Sequence, residues 1–220
     1  VKGSGRILLA AHAPVTVARC DANPRAPEAR SHAEATLFPV GSAFLLAKRI
    51  EDCFMNAIFK RCSVRQFTDE PVSIDDIERL MRAAMAAPSA GNQQPWEFFI
   101  ARDETTRMAL AATTPYAAPA KLAPCVIAVC TRTEGLRFPR CTPLDMSAAV
   151  ENILLEAANI GLGAVWLGIA PEPDRIAAVK VALGGPREVE PFALVAVGHA
   201  LNHPEPKGST RYDETRVHWI

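Results

Sequence analysis

From position 55 onward the chain alternates two kinds of hydrophobic pattern, and the alternation divides it into elements. The stretch SIDDIERLMRAAMAA, 73–87, spaces its apolar residues helically and places Ile74, Ile77, Leu80, Met81 and Ala84 on one stripe. Ser73 stands three residues before Asp76, as in a capping box, so a helix is predicted to open at Ser73 and to stop at Pro88. WEFFIA, 96–101, reads as a strand, DETTRMALAA, 103–112, as a helix, and APCVIAVCT, 123–131, as a buried strand. A long helix is predicted over 143–160 with Gly161 as its C-cap. GAVWLGI, 163–169, and FALVAVGH, 192–199, read as strands. Between them PDRIAAVKVAL, 173–183, reads as a helix ended by Gly184, Gly185 and Pro186. Such alternation argues for a layered domain of α/β or α+β class.

The first fifty residues lack this order. They are rich in Ala, Arg and Pro, basic residues outnumber acidic ones, and neither helical nor strand periodicity persists. The first methionine, Met55, stands directly before the onset of regular patterning. Residues 1–54 are therefore read as an extension that is disordered or loosely docked, or an over-extended reading frame, and 55–220 as the folded domain. An organelle leader remains an alternative for this Arg-rich stretch.

Composition narrows the function. Lys plus Arg, 24, balance Asp plus Glu, 24, so no overall basic field exists to hold nucleic acid or an acidic membrane, and any anion site must be local. No apolar run approaches the roughly 20 residues of a membrane span. The six cysteines form no CxxC pair, and no histidines stand at zinc spacing. Cys125 and Cys130, in PCVIAVC, read as small buried hydrophobes in a reducing, cytoplasmic setting. No metal site is expected.

Two polar segments interrupt the apolar elements. In FKRCSVRQF, 59–67, an extended backbone would put Arg61, Ser63 and Arg65 on one face and Cys62 and Val64 on the other, a face suited to an anion. PSAGNQQPW, 88–96, offers neutral amides and a glycine that lets the backbone approach something flat; taken alone it also reads as a polar turn. A dinucleotide fingerprint does not hold in GLGAVWLG, 161–168. Trp166 falls where a small residue is needed, and these glycines end a helix and open a strand rather than the reverse. No GxxxxGK[ST] phosphate loop is present.

Taken together, RCSVRQF, PSAGNQQPW, GLGAVWLGIAP and the tail KGSTRYDETRVHW resemble the flavin-dependent nitroreductase family in order and spacing, over about 55–220. The resemblance implies a three-layer α/β/α sandwich of α+β class with a mixed, mainly antiparallel sheet, in a domain-swapped homodimer with FMN sites at the interface. It implies that Arg61, Cys62, Ser63 and Arg65 hold the flavin phosphate, ribityl chain and pyrimidine edge, with Cys62 acting through its backbone. Pro88, Ser89, Ala90 and Asn92 would reach the same flavin from the other subunit. Leu167, Gly168 and Ile169 would pass the ring near its reactive nitrogen, and Lys207 and Arg211 would close on the phosphate. The implied reaction is ping-pong: NAD(P)H gives hydride to the flavin and leaves, and an oxidised acceptor such as a nitroaromatic or quinone takes the electrons. Dehalogenating or flavin-consuming relatives carry extra lid segments, for which the short stretch 112–124 leaves little room. A flavin-binding module without turnover is the remaining alternative.

The other polar groups take quieter readings. Asp145 suits the start of a helix macrodipole. Trp166 is expected in packing and Tyr116 in a loop, while His199 and His203 are too poorly placed relative to any carboxylate for a catalytic role. The tail ending VHWI is expected to wrap a partner.

Overall fold

The computed structural model describes residues 57–206 and 211–220; the extension read over 1–54 lies outside the described residues. Four strands, β1 (Trp96–Ala101), β2 (Cys125–Arg132), β3 (Gly163–Gly168) and β4 (Val189–Gly198), form one antiparallel sheet in the order β1-β2-β4-β3. Six helices accompany it: α1 (Ala57–Lys60), α2 (Ile74–Met85), α3 (Glu104–Ala111), α4 (Ala118–Leu122), α5 (Thr142–Asn159) and α6 (Pro173–Ala182).

The central strands β2 and β4 are apolar at nearly every position because both sheet faces are covered. Cys125, Ile127 and Val129 of β2, with Ala193, Val195 and Val197 of β4, pack in one cluster with Ile77, Leu80 and Ala84 of α2 and Met146, Val150 and Ile153 of α5. The alternate residues Val126, Ala128, Cys130, Leu194 and Ala196 pack in a second cluster with Leu110 of α3, Ala120 of α4 and Val179 of α6. Two helical layers thus enclose the sheet, as the family resemblance implied. A register shift between Val129 and Cys130 gives the β2–β4 ladder a bulge.

The 61–67 segment is extended beyond α1 and runs beside the edge strand β3. Ser63 makes a parallel bridge with Ala164, and the Val64 amide donates to the Ala164 carbonyl at 3.1 Å. Phe67 then pairs antiparallel with Ala200. The parallel contact makes the sheet locally mixed. Gly163 permits this approach, because a Cβ there would lie 2.7 Å from the Val64 side chain. Val64 is buried while Arg65 is exposed, the alternation expected of an extended strand. Phe59 and Lys60, at the head of the same stretch, instead belong to α1.

Capping follows the sequence. The Ser73 hydroxyl accepts from the Asp76 amide at 3.0 Å and donates to the Asp76 carboxylate at 2.7 Å. Ile74 departs from its predicted stripe and is exposed, since it stands in the first turn beyond the reach of α5. Helix α5 is capped by Ile160, with Gly161 one residue beyond at φ +81°. Leu162 N–H donates to the Ala157 carbonyl at 2.8 Å, the 6→1 bond that closes such an end. The 112–124 stretch, expected to be a short loop, holds a 3₁₀ turn at Pro115–Ala117 followed by α4, whose Pro119 and Ala120 are buried. Proline is tolerated in a first helical turn, where its missing N–H is not needed.

Candidate functional site

Three arginines converge where the 61–67 segment leaves α1. A cavity of about 520 Å³ is lined by Arg61, Cys62, Ser63, Arg65 and Arg211, together with Glu151 and Glu205. The chain brings Arg211 to the first three through its tail, 150 positions away in sequence. Arg65 leans back so that one guanidinium nitrogen donates to the Ser63 carbonyl at 3.3 Å. Arg61 approaches the Glu151 carboxylate of α5 through Nε at 3.6 Å. Three guanidinium forks and a hydroxyl around one cavity are chemically suited to a phosphate oxyanion, for which several charge-assisted hydrogen bonds are needed. Lys207, also expected here, lies outside the described residues.

None of Pro88, Ser89, Ala90 or Asn92 lines the arginine cavity. The shape of the 88–96 loop is held from beneath. Asp145, in the first turn of α5, is buried, and its two carboxylate oxygens accept from the Ala90 amide at 2.9 Å and from the Gln93 side-chain amide at 2.7 Å. Gln93 also donates to the Phe138 carbonyl at 3.1 Å and accepts from the Phe138 amide at 2.9 Å. The Arg132 guanidinium donates to the Gln93 carbonyl. Two expectations change. Gln93 faces inward as a brace instead of offering its amide to a ligand, and Asp145 is a loop anchor rather than only a partner of the helix dipole. Asn92 and Gln94 take positive φ, as does Gly91, whose missing Cβ leaves room for the Phe138 ring 2.5 Å from where that atom would be.

Leu167 and Ile169 are buried with the second core cluster, so their side chains are packing groups. Gly168 between them is exposed, and nothing lies within 4 Å of a Cβ built there, so only backbone faces outward at this point. Immediately beyond, Ala170 and Pro171 enter the wall of a mainly apolar cavity of about 570 Å³ that also includes Leu136, Pro143, Ile176 and Phe192. Trp166 packs against Phe192 with ring centroids 5.8 Å apart, as expected of a packing residue. Tyr116 is exposed under the Arg175 guanidinium, 5.3 Å from the ring centroid. His199 has a carboxylate after all, that of Glu70 at 3.6 Å, outside the arginine cavity.

Cys125 and Cys130 are buried in the core, as expected of small hydrophobes. Cys62, Cys125, Cys130 and Cys141 are free thiols. Burial pushes the Cys125 thiol up to about 11 and the Cys130 thiol up to about 12, which keeps both protonated and unreactive. Among the described residues no group of His, Cys, Asp or Glu is arranged to hold a metal, and no helix is long and apolar enough to cross a membrane.

Comparison with known proteins decides the family. The nitroreductase family model matches residues 58–122 and 108–199. The chain belongs to the nitroreductase family, and so to a family of oxidoreductases. A protein of Archaeoglobus fulgidus named "Putative NADH dehydrogenase/NAD(P)H nitroreductase" is 34% identical over 171 residues, covering 77% of this chain and 98% of that one. A crystal structure described as a "Putative NADH Oxidase", from Clostridium acetobutylicum, is 39% identical with a TM-score of 0.71, covering 74% of this chain and 98% of that one. A second crystal structure, from Desulfovibrio desulfuricans and described as "a putative nitroreductase in complex with fmn", is 31% identical with a TM-score of 0.60, covering 72% of this chain and 94% of that one.

Sequence reading missed Glu151 and Glu205 in the arginine cavity, and the pairing of Asp145 with Gln93 beneath the loop. Glu151 and Glu205 join the arginines only through tertiary packing, and nothing in their sequence neighbourhood signals it. Asp145 and Gln93 carried a weak sign, a carboxylate at the edge of a buried helix and an amide in a turn. Neither says which partner each would find.

Proposed function

We propose that the protein is an FMN-dependent oxidoreductase that carries reducing equivalents from NAD(P)H to an oxidised acceptor such as a nitroaromatic or a quinone. The observation that carries this reading is the convergence of Arg61, Ser63, Arg65 and Arg211 on one cavity, in a chain whose family includes a relative crystallised with FMN. The residues fit the cofactor: the guanidinium forks match a phosphate monoester, and the space on the Cβ side of the exposed Gly168 is open to a flat ring at the end of β3, while the Gly168 carbonyl accepts from Arg175 at 3.2 Å.

In this reading Arg61, Arg65 and Arg211 bind the phosphate, with Lys207 as a fourth cation, and Ser63 adds a hydroxyl. Cys62 contributes backbone. Leu167 and Ile169 fix the strand end by burial so that Gly168 presents its peptide to the ring. A guanidinium of this segment near the pyrimidine side of the ring would favour uptake of negative charge. When bound, FMN supplies hydride transfer between the pyridine nucleotide and the acceptor, so the chain needs no nucleophile or metal of its own. The apolar cavity beside Ala170 and Pro171 is suited to a flat aromatic acceptor.

The loop of Pro88, Ser89, Ala90 and Asn92 is assigned to the flavin of a second copy. Its absence from the lining of the chain's own arginine cavity supports a homodimer with shared sites, as do the exposed Leu144, Trp219 and Ile220. A cytoplasmic location is consistent with free, buried thiols. The test is direct: purified protein should be yellow or become so with added FMN, and Arg61→Ala should be isolated largely without flavin. Normal flavin occupancy in that variant would remove the phosphate role.

A further inference from the structure

The arginine cavity contains a carboxylate that its function as an anion site does not call for. Glu151 lies in the middle of α5, half-exposed, with its carboxylate 3.6 Å from Arg61 Nε. Contact through Nε, the inner nitrogen of the fork, leaves the two outer nitrogens as donors for an incoming oxyanion. Among the described residues, five charged side chains line the cavity: Arg61, Arg65 and Arg211 against Glu151 and Glu205. Each carboxylate subtracts one positive charge from what the arginines offer a phosphate dianion, and Glu151 is the one placed against an arginine.

We propose that Glu151 is a resident counter-ion of the phosphate cradle: it neutralises Arg61 while the cavity is empty and weakens the hold on the dianion when it is full. The inference rests on the flavin-phosphate reading of this cavity. The ion pair is partly solvated, so it holds Arg61 loosely and yields to phosphate at small cost. What would persist after binding is repulsion between the carboxylate and the phosphate. Glu151 therefore narrows the preference for phosphorylated over unphosphorylated flavin and keeps the cofactor exchangeable.

The experiment titrates the full chain, stripped of flavin, with FMN, with riboflavin and with inorganic phosphate, in the unsubstituted protein and in Glu151→Gln and Glu151→Ala. Both variants should bind FMN about five- to tenfold more tightly, the order expected for losing one nearby like charge across partly solvated space. Riboflavin affinity should stay within about twofold, and the gain for FMN should shrink at high salt, as a Coulombic effect must. Unchanged or weaker FMN binding in either variant would overturn the proposal, as would equal tightening of FMN and riboflavin. Inorganic phosphate separates this outcome from failure of the flavin reading. If the unsubstituted protein takes up no flavin, the cofactor assignment falls, and Glu151→Gln must still tighten phosphate binding for the counter-ion role to stand.

Discussion

Each arginine in the cradle can be weighed by how it is held. Arg61 is the most enclosed, with 22% of its side chain exposed, and it is already oriented from α5, whereas Arg211 sits on an exposed tail. A charge-assisted hydrogen bond is worth about 1.5–3 kcal/mol, so Arg61→Ala should weaken FMN binding by roughly ten- to a hundredfold, and Arg211→Ala by less. Fluorescence titration of the stripped protein checks the order of the two. Asp145 makes a different prediction, because its loss leaves the part-buried Ala90 amide and one of the two N–H groups of the Gln93 side chain without their acceptor. Asp145→Ala should lower unfolding free energy by about 1.5–3 kcal/mol, measured by urea denaturation, and should also loosen flavin in the dimer through the 88–92 loop.

At the scale of elements, the route from packing to site runs through Gly163. The 61–67 segment is set against β3 by the Val64–Ala164 hydrogen bond, and Val64 fills the space a Cβ at 163 would take. Gly163→Ala should therefore push the 61–67 segment outward, lowering both melting temperature and FMN affinity, while adding Val64→Ala should restore part of each. Recovery of neither would show that the segment is placed by other contacts. The two buried thiols of β2 give a pH dependence. Their pKa values lie above that of an unfolded cysteine, so the folded chain keeps protons that the unfolded one releases. Stability should fall as pH rises from about 9 toward 11 and 12, and Cys125→Ala combined with Cys130→Ala should flatten that slope. The strands were legible because long apolar runs flanked by turn residues have few alternatives; WEFFIA is β1 to the residue. The sheet order was not, since nothing local tells β3 to pair with β4 rather than β2. Helix α4 escaped notice because it is short and Pro/Ala-rich, and its burial comes only from tertiary packing. In the site, the alternation of Arg61, Ser63 and Arg65 could be read from spacing alone, while Gln93 and Asp145 needed the fold to find each other.

For the whole molecule, the proposal requires two chains per pair of sites. Light scattering of the FMN-loaded protein should give a dimer, and dilution that separates subunits should release flavin, because half of each ring site would be lost. A flavin-loaded monomer would contradict the shared site. The most direct test of the proposed chemistry is anaerobic addition of NADH or NADPH to the purified, FMN-loaded protein, followed by a nitroaromatic or quinone. The expected result is bleaching of the yellow flavin by at least one nucleotide and return of the colour with the acceptor. A protein that takes up FMN but stays yellow with both nucleotides would be a flavin-binding module without turnover, and one that takes up no FMN would contradict the cofactor itself.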